Sequence, residues 1–205
     1  MGLSIGSYLI SSKEVPGRWS LVVFLKGCNF RCRHCYNWRL ITGEEKAKVK
    51  EEEVLYEVRN QPFLECVVLS GGEPTVSSLK DMIDFICRVK EIRPDIRVRV
   101  DTNGSEPEAL RELKEVVDGF AVDIKSPLEK PDLYSYTAGV EVDTDAVEES
   151  IRIADGMPLT LYRTPRYPWL GEGDIVLIKT FTDRLRSPWH LNRFFEVPDC
   201  PFNRP

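Results

Sequence analysis

The 205-residue sequence predicts an α/β fold, a partial and open barrel of the (β/α)6 type whose last strand is irregular. Short apolar runs alternate with longer segments whose apolar residues recur at helical spacing, the pattern of a parallel sheet with crossover helices. A closed eight-unit barrel usually takes about 250 residues, and this shorter chain holds about six strands, so the sheet is expected to stay unclosed. Cysteine, glycine, asparagine and aspartate cluster where the strand-like runs end, and in such sheets sites form at the carboxyl ends of strands.

In chain order, the run Val22, Val23, Phe24, Leu25 is the first strand and stops at Gly27. Residues 46–61 are charged and carry Val54, Leu55 and Val58 at helical spacing. Residues 65–69 read as a strand that breaks into the turn Ser70-Gly71-Gly72-Glu73-Pro74-Thr75. Residues 79–92 place Leu79, Ile83, Ile86 and Val89 on one helical face, closed by Pro94. Residues 95–100 alternate as a strand before Asp101-Thr102-Asn103-Gly104, and 107–117 predict a helix capped by Ser105. A strand over 119–125, a helix over 145–154 and strands over 159–164 and 174–180 complete the pattern. The connection 165–173 holds two prolines and is too short for a parallel crossover, which predicts an antiparallel or edge position for the last strand.

Side chains two apart on a strand share a face, so Arg97, Arg99, Asp101 and Asn103 oppose Ile96, Val98 and Val100. Likewise Ala121, Asp123 and Lys125 oppose Phe120, Val122 and Ile124. The apolar sets pack under the helices, which leaves the charged sets lining the barrel. A charged interior is costly unless its members pair or bind an ionic ligand.

Between the first strand and the next helix stand Cys28, Cys32 and Cys35. Three thiolates in one loop suit an iron–sulfur cluster or zinc. An electron-transfer cluster takes four cysteines, and the remaining ones, Cys66, Cys87 and Cys200, are far along the chain, so one iron would stay open. A zinc site would have to add His34, but neighbouring residues do not easily ligate one tetrahedral ion, and paired knuckles are missing. Disulfides fit poorly with a chain lacking a signal-peptide layout. Cys66 and Cys87 are expected to be buried inert thiols, and Cys200 is a loop cysteine beside Pro201.

With 42% hydrophobic and 30% charged residues, the composition is that of a water-soluble globular chain, and a single domain over 1–205 is expected. No apolar run approaches the ~20 residues of a membrane span, and a cytoplasmic setting is expected. A net charge of −5 argues against general nucleic-acid affinity.

The spacing C-x3-C-x2-C, with the aromatic His34 before its last cysteine, resembles the radical S-adenosylmethionine (SAM) superfamily. The stretches VPGRWSLVVFLKGCNFRCRHCYN, VVLSGGEPT, DTNG, DGFAVDIKSPLEK and YRTP, from about residue 15 to 165, are similar to the glycyl-radical-enzyme activating branch. That branch includes the anaerobic ribonucleoside-triphosphate reductase activating protein and pyruvate formate-lyase activating enzyme. The resemblance implies a [4Fe–4S] cluster on Cys28, Cys32 and Cys35, with SAM on the open iron and split by an electron to a 5′-deoxyadenosyl radical. It implies that Gly71, Gly72 and Glu73 take the SAM amino group, and that His34, Asn103, Lys125 and Arg163 also belong to the cofactor site. Asp101, Thr102 and Asp123 match positions that hold a monovalent cation beside the SAM carboxylate; a structural salt bridge to Arg97 or Arg99 is the plainer reading of these aspartates. Implied partners are a glycyl radical enzyme as protein substrate and a flavodoxin- or ferredoxin-type reductant.

The chain departs from the family after the cluster, where Cys35-Tyr36-Asn37-Trp38 replaces the usual Cys-His-Asn-Pro. Its end is also distinctive: residues 179–193 carry four basic residues against one acid, with Trp189, Phe194 and Phe195 nearby. This tail is expected to dock a partner, to close the barrel mouth or to cover the sheet edge. The leading function is hydrogen abstraction from a glycine of a partner enzyme. A radical SAM enzyme acting on a small molecule, as 7-carboxy-7-deazaguanine synthase does, and an iron–sulfur electron carrier are the rivals.

Overall fold

The computed structural model describes residues 2–46 and 48–203. Seven strands form one sheet in chain order: β1 (Ile5–Ser11), β2 (Ser20–Leu25), β3 (Cys66–Gly71), β4 (Arg97–Thr102), β5 (Gly119–Asp123), β6 (Leu161–Pro165) and β7 (Trp189–Asn192). The pairs from β2 to β7 are all parallel, while β1 runs antiparallel to β2. The barrel is open, with β1 and β7 as its two edges.

The connecting helices are α1 (Trp38–Thr42), α2 (Glu51–Asn60), α3 (Leu79–Ile92), α4 (Pro107–Leu113), α5 (Pro131–Ala138), α6 (Thr144–Ala154) and α7 (Glu172–Thr182). Their starts follow local chemistry. Ser78 Oγ accepts from Asp81 N at the head of α3, and Asp143 accepts from two amides at the head of α6. Proline occupies the first turn of α4 and of α5, and Gly139 ends α5 in the left-handed conformation.

One face of the sheet carries the core. Leu21, Val23 and Leu25, then Val67 and Leu69, Val98 and Val100, Phe120 and Val122 pack against Val58, Phe85, Ile86, Leu110, Val147 and Ile151 of the helices. The alternation along β4 and β5 therefore holds: the apolar set lies under the helices, and Arg99, Asp101 and Asp123 face inward. Nearer the strand starts the inner face is apolar, where Val15 from the 12–19 connection packs on Val22, Cys66 and Val68. Arg97 lies outside this system and pairs with Asp118.

Several expectations are corrected. The segment 174–180 is not a strand but the middle of α7, in which Asp174, Ile178 and Thr182 are buried at a spacing of four. The β6-to-β7 connection is thus an ordinary helical crossover, and the last strand is β7, parallel to β6. The helix expected over 46–61 begins only at Glu51, and residue 47 lies outside the described residues. The helix expected over 107–117 ends at Leu113, and Ser105 does not cap it, since its hydroxyl accepts from Asn29 Nδ2 instead. Cys66 is buried as expected, but Cys87 is exposed on α3. Among the described residues, no helix is long and apolar enough to cross a membrane.

Candidate functional site

The cysteine loop leaves β2 at Leu25 and enters α1 at Trp38, and between them it has little regular structure. Its shape comes from its neighbours. Gly72 N donates to Leu25 O and Glu73 N to Gly27 O, each at 2.8 Å, so the turn after β3 is bonded to the head of the loop. A Cβ at Gly72 would overlap the Gly27 carbonyl, and one at Gly71 (φ 109°) would press on the backbone of Leu25. The two glycines are therefore required by the contact between two chain segments, whatever binds above them. Asn37 Nδ2 adds a bond to Gly71 O at 2.6 Å. Arg31 N and Arg33 N donate to the carbonyls of Ala138 and Thr137 at the end of α5.

Glu73 is a clip between the turn and β4. Its carboxylate, almost fully buried, accepts from Thr75 N, Thr75 Oγ1, Thr102 Oγ1 (2.8 Å) and Asn103 N (2.6 Å). Burial pushes this carboxyl up, and the four donors oppose that shift. Asn103 in turn donates to Asn29 Oδ1, which ties β4 to the cysteine loop.

On the inner face a chain of ion pairs crosses three strands. Arg99, fully buried, holds Asp101 at 2.8 Å; Arg163 Nη1 and Nε reach Asp101 and Asp123, each at 3.0 Å; and Lys125 meets Asp123 at 3.4 Å. Arg99 also donates to Glu14 O, anchoring the 12–19 connection. Burial raises the Asp123 carboxyl, but Arg163 and Lys125 outweigh it and leave it below the usual range. Burial likewise pulls Lys125 and Arg163 down, yet the acidic groups facing each hold both above their ordinary values. In this chain of ion pairs Arg99, Arg163 and Lys125 face Asp101 and Asp123, and Glu73, held by neutral donors alone, is the third carboxylate beside them.

All thirteen residues singled out from the sequence line one cavity of about 990 Å3: Cys28, Cys32, His34 and Cys35; Gly71, Gly72 and Glu73; Asp101, Thr102 and Asn103; Asp123, Lys125 and Arg163. Burial pushes the thiol of Cys28 up to about 11 and that of Cys35 up to about 12, and raises Cys32 as well. Among the described residues, no three Cys, His, Asp or Glu side chains group tightly enough to hold a single metal ion. Three thiols spread round a roomy, charged cavity fit a cluster with one open corner better than one tetrahedral ion.

The expected monovalent cation finds no support. The gap between Asp101 and Asp123 is bridged by the Arg163 guanidinium, which already relieves their repulsion. The pairing of Asp101 with Arg99 bears out the plainer of the two sequence readings for that aspartate.

Residues that the sequence reading did not place here include His190 and Asn192 of β7, Tyr167 of the loop after β6, and Lys13 and Glu14, all of them cavity-lining. The signal for Tyr167 was the aromatic pair in the loop 165–173; Tyr167 stacks on Trp169 with ring centres 4.9 Å apart. The tail borders the cavity, with Arg193, Phe194 and Phe195 lining it beside Tyr36.

Comparison with known proteins agrees with this geometry. The family model described as the radical SAM superfamily matches residues 22–159. A protein of Methanocaldococcus jannaschii provisionally named a glycyl-radical enzyme activating enzyme is 34% identical over 123 residues, covering 59% of this chain and 49% of that protein. The 7-carboxy-7-deazaguanine synthase of Hyperthermus butylicus is 33% identical over 102 residues, covering 47% of this chain and 39% of the synthase. The chain thus spans about half or less of the length of these relatives. In fold, it is similar to the crystal structure of methylornithine synthase, with a TM-score of 0.67 over 90% of this chain and 56% of that one, at 13% identity.

Proposed function

This chain belongs to the radical SAM superfamily, and from that premise we propose that it activates a partner enzyme by abstracting hydrogen from one of the partner's backbone glycines. In this reading Cys28, Cys32 and Cys35 hold a [4Fe–4S] cluster whose fourth iron is left to SAM. When bound, these groups would supply one electron to split SAM into methionine and a 5′-deoxyadenosyl radical, the acceptor for a glycine Cα hydrogen atom. The chain's own residues bind, orient and shield. Lys125 and Arg163 are the cations offered to the SAM carboxylate. The turn of Gly71, Gly72 and Glu73 offers carbonyl and carboxylate oxygens to its ammonium. Tyr167, Phe194 and Phe195 exclude water from the mouth.

The observation that carries the reading is the convergence of three thiols with the charged side chains of Glu73, Asp101, Asp123, Lys125 and Arg163 on one cavity. The stretches DTNG (101–104) and DIKSPLEK (123–130), with the name given to the methanococcal relative, support a glycine as the acceptor. A flavodoxin- or ferredoxin-type reductant and a cytosolic setting follow from the same reading. A second reading keeps the chemistry and makes the acceptor a small molecule; Phe194 and Phe195 at the mouth and the similarity to the deazaguanine synthase favour it.

The test is anaerobic reconstitution followed by incubation with SAM, a reductant and a candidate glycyl radical enzyme. About four irons per chain, release of methionine and 5′-deoxyadenosine, and a glycyl radical signal in electron paramagnetic resonance are expected. SAM cleavage with no radical on any partner would favour the small-molecule reading. No SAM cleavage at all would leave an iron–sulfur carrier.

A further inference from the structure

Residue 34 lies between two of the cysteines in an unfavourable backbone conformation. Among the described residues, His34 is the one non-glycine residue with a positive φ, 56°. Such a conformation persists only where the surroundings enforce it. Here the enforcement comes from the far end of the chain. The His34 N–H donates to Asn203 Oδ1 at 2.7 Å, and the His34 ring accepts at Nδ1 from Val197 N at 3.1 Å. Phe194 packs edge-on against the same ring with centres 5.1 Å apart.

The rest of the segment 193–203 follows the loop. Tyr36 Oη donates to Phe195 O at 3.2 Å, and Arg33 Nη1 donates to Asn203 O at 2.9 Å. Cys200, buried, sets its sulfur 3.9 Å from Cys32 O. Asn203 is the hub. Besides accepting from His34, it donates from Nδ2 to Val197 O at 2.8 Å, and its N–H donates to Cys200 O at 3.2 Å, so it closes the strap on itself. The other side of the loop is held by α5.

We propose that residues 193–203 are a positioning strap, with Asn203 as its latch, which holds residues 32–36 in the shape that turns the three thiols toward one cavity. The strap does not react; it acts through His34 and the loop backbone. Its role is separate from covering the sheet edge, which β7 forms before the strap begins.

Two variants test this, Asn203→Ala and a chain ended after Asn192, with Asn203→Asp as a third that keeps the acceptor for the His34 amide but loses the donor to Val197 O. In the metal-free protein, iodoacetamide alkylation of Cys32 and Cys35 and hydrogen exchange over 31–36 are measured peptide by peptide. Asn203→Ala is expected to speed both about tenfold, the effect of losing one or two buried hydrogen bonds, and to leave exchange in β3 and β4 unchanged. Asn203→Asp is expected to quicken both as well, because a carboxylate oxygen then faces Val197 O where the parent has a donor. In the loaded protein, iron loss to a ferrous chelator is expected to quicken by a similar factor.

Alkylation and exchange at parent rates in both Asn203→Ala and the shortened chain would overturn the proposal. So would a loss of protection spread evenly through the sheet. The iron measurement rests on the cluster reading above, whereas the metal-free measurements do not, so the two can fail separately.

Discussion

Arg163→Ala removes the link between Asp101 and Asp123, and its cost can be worked from the contacts. Arg163 makes two ion pairs of 3.0 Å, to an Asp101 side chain 4% exposed and an Asp123 side chain 31% exposed. Breaking a buried pair by removing one partner costs about 3–5 kcal/mol. The lower end applies here, because Asp101 keeps Arg99 and Asp123 keeps Lys125. We expect a loss of about 3 kcal/mol at pH 7, which at a urea slope of about 2 kcal/mol per molar lowers the unfolding midpoint by about 1.5 M. The pH dependence has a definite sign. The Asp123 carboxyl is held below its usual range in the folded chain, so its stabilisation is present above the unfolded value near 4 and disappears as pH falls through the folded value. The gap between parent and variant should therefore be full at pH 7 and shrink below about pH 4. Arg163→Lys, whose single ammonium reaches one carboxylate, should recover about half. The assay is equilibrium urea unfolding of the metal-free protein at pH 7 and pH 3.5. A loss under about 1 kcal/mol at pH 7, or an equal loss at both pH values, would show that the carboxylates do not depend on this bridge.

Three further outcomes are expected. Gly72→Ala should cost about 3 kcal/mol or more, seen as a melting temperature about 6–12 °C lower, because its methyl overlaps the Gly27 carbonyl; an unchanged melt would mean that the turn can move away freely. Glu73→Gln should cost about 2 kcal/mol in urea unfolding, since an amide nitrogen must then face the Asn103 N–H or the two threonine hydroxyls; parent-like stability would remove Glu73 from its role as a clip. Metal-free stability should fall as pH rises above about 9, because burial holds Cys28 up to about 11 and Cys35 and Cys66 up to about 12. The stabilisation of a raised thiol is complete below its unfolded value and is lost on the way up to the folded one, so Cys66→Val should flatten the fall between pH 9 and 11.

The parallel part of the fold was legible because β2 and β3 are unbroken apolar runs and β4 and β5 alternate. In Val98-Arg99-Val100-Asp101 and Val122-Asp123-Ile124-Lys125 every second residue belongs to one environment, and the structure keeps both assignments. That the thirteen residues would meet was legible because strand ends in a parallel sheet converge, and one cavity does gather them. Elements stabilised by neighbours more than by their own pattern were not. The segment Ile175-Val176-Leu177-Ile178 is β-branched and apolar enough to suggest a strand, but Gly171 N bonded to Asp174 starts a helix, and burial of Ile178 in the core keeps it. In β7, four residues after a proline, Trp189 is half-buried and the next three are exposed, so there is no hydrophobic period to read. The expected cation finds no support for a related reason: Arg163 comes from another strand, and only the fold brings its guanidinium between the two aspartates.

The join between residues 71–73 and residues 25–27 is made by main-chain atoms alone. Its demand is thus on chain length more than on chemistry. Side chains around it can vary while the spacing stays, but one residue inserted between Leu25 and Gly27, or Gly72 deleted, would slide the carbonyls past the amides and unseat both motifs together. Loops that meet backbone to backbone count residues, and tolerance of substitution there says nothing about tolerance of insertion.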